Sequence, residues 1–133
     1  QDHYQIRAVL EGYACVLCVE TGADLSALQN CLKVSEEMIA SGDSSRYSDM
    51  NQSFHYEIWN ASGNEKLVTM LSELWNGLSM GVQTTEREYA KKSFAEHKKI
   101  YEAIAAKDAE TARTQMEKHI RRSLEDMLTR YRE

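Results

Sequence analysis

Four histidines are spread over the 133 residues, and three of them fall where a helix would turn them inward. Apolar residues recurring at i, i+3 or i+4, and i+7 mark the face that a helix buries. Between residues 47 and 58 that face carries Tyr47, Asn51, Phe54 and Ile58, with His55 one turn beyond Asn51 at its edge. Between 90 and 104 it carries Ala90, Phe94, His97, Tyr101 and Ile104, with the histidine central. Between 112 and 127 it carries Ala112, Met116, His119, Ser123 and Met127, again with the histidine central. Only His3 lies outside this set. A lone core histidine usually just hydrogen-bonds a neighbour, whereas three on separate helices each need a buried partner. Imidazole nitrogens meeting at one divalent cation satisfy all three together. Pattern alone leaves two alternatives open, a metal site and three separately satisfied core histidines.

The same residues are poor material for catalysis. There is no HExxH and no ExxH pair of the kind that builds di-iron bundles, and no glycine-rich phosphate loop or nucleophile elbow. Asn51 cannot act as a general base, and no Asp or Glu lies beside the three histidines on their stripes. Such a constellation holds a metal without an obvious catalytic group. Cys15 and Cys18 form a CxxC, but inside the apolar stretch from Tyr13 to Val19, and Cys31 is isolated. An odd cysteine count with no second pair reads as small buried residues in a reducing compartment.

The elements that must position these residues are helices. The chain has no proline, although average usage of about 5% predicts six or seven, and proline breaks helix interiors. Six helical segments can be read. The first runs from Tyr4 to Glu20 and stops near Gly22; the second runs from Asp24 to Ala40, before Ser41-Gly42. Asp43 is placed to cap a third helix reaching Ala61, with Gly63 suited to the position just past its end. Asn64 caps a fourth carrying Leu67, Met70, Leu71, Leu74, Trp75 and Leu78, with Gly77 and Gly81 placed to bend its second half. The fifth runs from Ala90 to Ala106, and Asp108 caps the sixth. No strand signal competes. The expected fold is all-α, one domain over 1–133, a compact antiparallel bundle of about six helices around a central metal or ligand cavity.

Composition narrows the partners. No apolar run approaches the roughly 18 residues of a membrane span, and nothing at the N-terminus reads as a signal peptide. With 16 basic and 21 acidic residues the net charge is −5. The densest basic patch, Lys118, Arg121 and Arg122, is interleaved with Glu117 and Glu125. A nucleic-acid binder needs clustered cations, so this chain is not expected to bind DNA by itself.

Five segments, in order, resemble one family. Ile6-Arg7-Ala8-Val9-Leu10-Glu11 resembles its opening R..LE, Asn51 through His55 its D...FH, and Gly63-Asn64-Glu65-Lys66-Leu67 its GN..L. Glu96-His97-Lys98-Lys99-Ile100 with Ala103-Ile104 resembles EH..I..AI, and Asp108, Ala112, Met116 and His119 resemble D...A...M..H. The family is the FCD domain, the C-terminal effector-binding domain of FadR-like regulators in the GntR family, and the six-helix count resembles its shorter, VanR-like branch. The resemblance implies metal ligands at Asn51, His55, His97 and His119, with Asn51 standing where the family has Asp. It implies a divalent metal, zinc first, with nickel, manganese and iron open. It implies a small carboxylate effector drawn by the charge that neutral ligands leave uncancelled, with Arg7 a candidate to pair with it. The alternative for Arg7 is an exposed pair with Glu11. It further implies a cytoplasmic homodimer that touches DNA only through a winged helix-turn-helix domain, to which nothing in these 133 residues corresponds; the chain begins at Gln1 rather than Met. The function expected is effector sensing for transcription, without enzymatic activity. A metal-dependent hydrolase or isomerase and a ligand-free helical interaction module are the competing readings.

Overall fold

A computed structural model describes residues 2–43, 46–78 and 87–132, with side chains described over 2–43, 46–75 and 88–125. Six helices follow one another: α1 (Asp2–Thr21), α2 (Ser26–Ser41), α3 (Tyr47–Ala61), α4 (Glu65–Leu78), α5 (Arg87–Ala105) and α6 (Ala109–Arg132). No strand occurs among the described residues, and no helix there is long and apolar enough to cross a membrane. The all-α expectation holds.

Turn chemistry explains where the helices stop. Gly42 takes φ +81° after α2, and Asp43 N–H then reaches back to Met38 O at 3.1 Å. The Asp43 backbone thus helps close α2, and the residue at the N-cap position of α3, which begins at Tyr47, is Arg46 instead of the expected Asp43. Two other expected caps are present. Leu67 N–H donates to Asn64 Oδ1 at 3.0 Å, and Thr111 N–H to Asp108 Oδ1 at 3.1 Å, each satisfying an orphan donor of a first turn. Lys107 closes α5 at φ 61°, a left-handed position more often held by glycine. Helix α4 runs unbroken through Gly77; Gly81 lies outside the described residues.

Helix α1 is the hub: it packs most extensively on α6 and also touches α3, α4 and α5, while α2 covers α3 and α5. Its inward residues are small, Ala8, Gly12, Ala14, Cys15 and Cys18, so neighbours approach closely. A Cβ at Gly12 would lie 3.0 Å from Arg113 Cγ and 3.2 Å from Glu117 Cγ on α6. The core continues through Phe54, Ile58 and Trp59 on α3, Leu67 and Leu71 on α4, Ile100 and Ile104 on α5, and Ala112, Met116 and Ile120 on α6. All three cysteines are buried and free, and burial pushes the Cys15 and Cys18 thiols up, which leaves them inert small core residues.

On α6 Ser123 is only half-buried while Ile120 is buried, and the stripes of α5 and α3 differ further from the periodic reading. On α5 the buried face is Ala90, Ser93, His97, Ile100 and Ile104; Phe94 and Tyr101 are only partly covered. On α3 His55 is fully buried while Asn51 is half-buried, the reverse of their expected order. Both changes have the same cause. Helices α5 and α3 are covered from two sides, by α6 and α2 for one and α1 and α2 for the other, so the buried face is wider than one seven-residue stripe. The Met127 side chain lies outside the described residues.

Candidate metal centre

Helices α3, α5 and α6 bring His55, His97 and His119 to one point near the bundle axis, at 1%, 1% and 2% exposure. His119 Nε2 lies 3.3 Å from His55 Nε2 and 3.2 Å from His97 Nε2. One ligating nitrogen from each falls within 4.8 Å of the others. The rings are held tightly. Phe54 stacks on His97 with centroids 4.0 Å apart, and the His55 ring lies 5.3 Å from that of His119.

What surrounds the rings decides their chemistry. His55 Nδ1–H donates to Glu11 Oε1 at 2.5 Å, and His119 Nδ1–H to Glu96 Oε1 at 2.5 Å. A carboxylate there fixes the tautomer, so each Nε2 carries a lone pair toward the centre. Two lone pairs 3.3 Å apart repel unless a proton or a cation lies between them. Burial works against the proton: it lowers the His97 pKa well below its ordinary value and holds His119 near about 4, even with Glu96 pulling the other way.

The donor set fits a divalent metal. A tetrahedral ion with metal–nitrogen distances of about 2.0–2.1 Å spaces its ligands by about 3.3–3.4 Å. The two Nε2–Nε2 separations are close to that without rearrangement. Asn51 Oδ1, one turn before His55, is buried and finds no hydrogen-bond partner among the described residues. Such an orphaned acceptor calls for an explanation, and an ion supplies one. The three-histidine cluster could hold a metal.

Arg7 makes the i, i+4 pair with Glu11 that the alternative reading named, but away from solvent. Its Nε donates to Glu11 Oε2 at 2.6 Å, but the pair is buried, not exposed, and the guanidinium lies 4.6 Å over the Trp75 ring. Trp59 Nε1–H adds a third donor to Glu11, at 3.0 Å to Oε1. Burial alone would push the Glu11 carboxyl up, but His55 and Arg7 beside it hold it well below the ordinary carboxylate range. Glu96 is lowered in the same way, burial being outweighed by the bonds from His119 and Arg122. His3, outside the inward set, ties α1 to α4 through a 2.8 Å contact with Leu74 O.

Glu11 and Glu96 are the residues that stripe reasoning passed over. Glu11 sits on a helix with no inward histidine, and Glu96 lies one position off the α5 stripe. A signal was available for both: Glu11 is an acid among the apolar residues of α1, and Glu96 precedes a core histidine directly.

The sequence matches the FCD domain family over residues 2–122. It is 32% identical over 140 aligned positions to the HTH-type transcriptional regulator LutR of Bacillus subtilis (strain 168), covering 96% of this chain and 61% of LutR. Among solved structures, E. coli McbR/YncC superposes with a TM-score of 0.81 at 22% identity, over 98% of this chain and 64% of that one. The likeness to that structure shows the bundle fold. The chain spans less than two thirds of the length of either protein.

Proposed function

Because the chain belongs to the FCD domain family, we propose that it is the effector-sensing domain of a bacterial transcription regulator, loaded with a divalent metal. His55, His97 and His119 hold the ion with Asn51 Oδ1, zinc being the first choice for a nitrogen-rich set at these separations. The observation that carries the reading is the pair of inward Nε2 atoms 3.3 Å apart, each with its other nitrogen committed to a carboxylate. When bound, the ion would supply Lewis acidity and, on expanding beyond these four donors to five-coordination, room for one further ligand. The chain's own residues orient the ligands, exclude water and stay neutral toward the centre.

A small organic acid is the effector. Glu11 is balanced by Arg7 and Glu96 by Arg122, so neither carboxylate cancels the ion's charge. An anion then completes the site, and the N–H donors of Arg7 not used on Glu11 are assigned to its carboxylate. LutR is named a transcriptional regulator, which supports a role in DNA control rather than catalysis. Two copies of the domain pair, presenting two upstream DNA-binding domains together in the cytoplasm. The exposed apolar strip Ile6, Val9 and Tyr13 on α1, at 55%, 62% and 49% exposure, is the contact assigned to that pairing.

The test combines elemental analysis of the purified chain with thermal melting. Zinc at a hundredfold excess over its Kd adds about 2.7 kcal/mol. For a chain of this length that is a rise of about 10 °C in Tm. The rise is expected in the parent chain and absent from His97→Ala, and small carboxylates are expected to bind the zinc-loaded form only. A parent chain without metal, melting unchanged on adding zinc, nickel or manganese, would leave only a helical interaction module. Sequence-specific DNA binding by this chain alone at physiological salt would overturn the division of roles.

A further inference from the structure

Two chains of the same order lead outward from the histidine cluster. His55 Nδ1 meets Glu11 Oε1, and Glu11 Oε2 meets Arg7 Nε at 2.6 Å. His119 Nδ1 meets Glu96 Oε1, and Glu96 Oε2 meets Arg122 Nε. Each carboxylate gives one oxygen to an imidazole and the other to a guanidinium. The first chain ties α3 to α1, the second α6 to α5. Among the described residues no carboxylate meets His97; its Nδ1 lies 3.4 Å from the Tyr47 hydroxyl, and Phe54 covers its face.

The two chains differ in their access to water. The Glu11 side chain is 0% and the Arg7 side chain 8% exposed, against 27% for Glu96 and 20% for Arg122. Glu11 also accepts from Trp59 Nε1. Three buried donors from three residues therefore depend on Glu11, and none can turn to solvent if it is lost. Around Glu96, water can take part of the load.

Resting on the metal reading above, we propose that Glu11 and Glu96 are positioning residues of the centre, and that they are unequal: the dry Glu11 arm sets metal affinity, while the wet Glu96 arm trims it. The physical reason is the geometry of a ligand that must keep both its tautomer and its ring angle. A carboxylate behind Nδ1 supplies both, and losing such a partner typically weakens metal binding by about 10–100-fold. Glutamine at either position keeps the size but offers one oxygen to two donors, so the imidazole and the guanidinium compete for it. At position 96 a water molecule relieves the competition. At position 11 nothing does, and Glu11→Gln takes the larger loss.

The experiment measures zinc affinity by chelator competition and the visible absorption of cobalt-loaded protein, for the parent chain, Glu96→Gln and Glu11→Gln. Melting of the metal-free forms is followed in parallel. Glu96→Gln is expected to melt close to the parent without metal, to bind zinc about tenfold more weakly and to shift the cobalt bands. Glu11→Gln is expected to lose about a hundredfold. Since an unbalanced Arg7 can unfold that variant, Arg7→Met/Glu11→Gln is measured with it; removing the guanidinium should restore the metal-free melt but not the affinity. Parent-like affinity and bands in Glu96→Gln and in the folded position-11 variant, while the parent binds zinc, would overturn the positioning roles alone. A Glu96→Gln loss as large as that at position 11 would overturn their ranking. A parent chain that takes up no metal would overturn the metal reading and this inference together.

Discussion

Tyr47→Phe removes a single oxygen from the wall behind His97. Tyr47 is fully buried, and its hydroxyl donates to Ser93 Oγ at 2.8 Å while lying 3.4 Å from His97 Nδ1. Ser93 is fully buried as well, and among the described residues its other contact of this kind is a long 3.4 Å approach to His97 Nε2. A net intramolecular hydrogen bond contributes about 1 kcal/mol, and a buried hydroxyl left without its partner adds roughly another 1 kcal/mol. The expected cost is therefore about 1–2 kcal/mol. Unfolding entropy near 2.1 cal/mol/K per residue makes that about 4–7 °C in Tm for a chain of this length. The assay is thermal and denaturant unfolding in chelator, followed by circular dichroism, for Tyr47→Phe, Ser93→Ala and the pair. Removing both partners leaves neither hydroxyl stranded, so the double variant should cost less than the sum by about 1 kcal/mol. Strict additivity, or a Tyr47→Phe chain as stable as the parent, would refute the claim that these hydroxyls hold one another and orient His97.

Three other outcomes follow from the same structure. Asn51→Asp should tighten zinc by about tenfold or more, since a charge replaces a dipole, and should weaken carboxylate binding measured on the zinc-loaded form; stronger carboxylate binding would contradict the charge argument. Val9→Glu places a charge in the exposed α1 strip and should halve the mass seen by sedimentation equilibrium while leaving zinc affinity unchanged; an unchanged mass would place the contact elsewhere. Lys107→Gly relieves a left-handed residue at the end of α5 and should raise stability by about 0.5–1 kcal/mol in chemical denaturation, with a loss counting against it.

The all-helical fold was legible because nothing in the sequence competes with it: no proline, capping residues at Asn64 and Asp108, and glycines where helices end. Asp43 misled because α3 begins later than a cap there requires, behind Arg46, while the left-handed Gly42 ends α2 directly before it. His97 and His119 could be found by periodicity, because a residue central on a stripe stays buried even when the stripe is drawn a residue too narrow; His55, read at the edge of its stripe, turned out wholly buried. Phe94 and Tyr101 sat on the edge of that error, and Ser93 and Ile100 took their buried places. Glu11 and Glu96 escaped for another reason. Their role depends on which helix packs beside which, α1 against α3 and α5 against α6, and helix periodicity holds no information about neighbours.

That neighbour information also explains why the centre tolerates so many ionisable groups in a dry interior. Burying a charge is costly unless it is paired and hydrogen-bonded. Here the negative charges stand one residue back from the histidines, and each is matched by an arginine, so the surroundings of the imidazoles sum to zero. The imidazoles nearest the middle stay neutral, His97 and His119 being held so by burial. A carboxylate placed directly at the centre would break that arrangement by meeting an incoming anion with like charge. The half-buried Asn51, whose Oδ1 has no partner among the described residues, would offer an oxygen that carries no charge. An arrangement of neutral donors inside balanced pairs leaves a divalent ion's full charge for an anion to meet. The contacts that would carry such an event outward are present: Glu11 links His55 to Arg7 on α1, and α1 touches α3, α4, α5 and α6. A ligand that moved His55 would therefore act on the helix with which four of the other five helices are in contact.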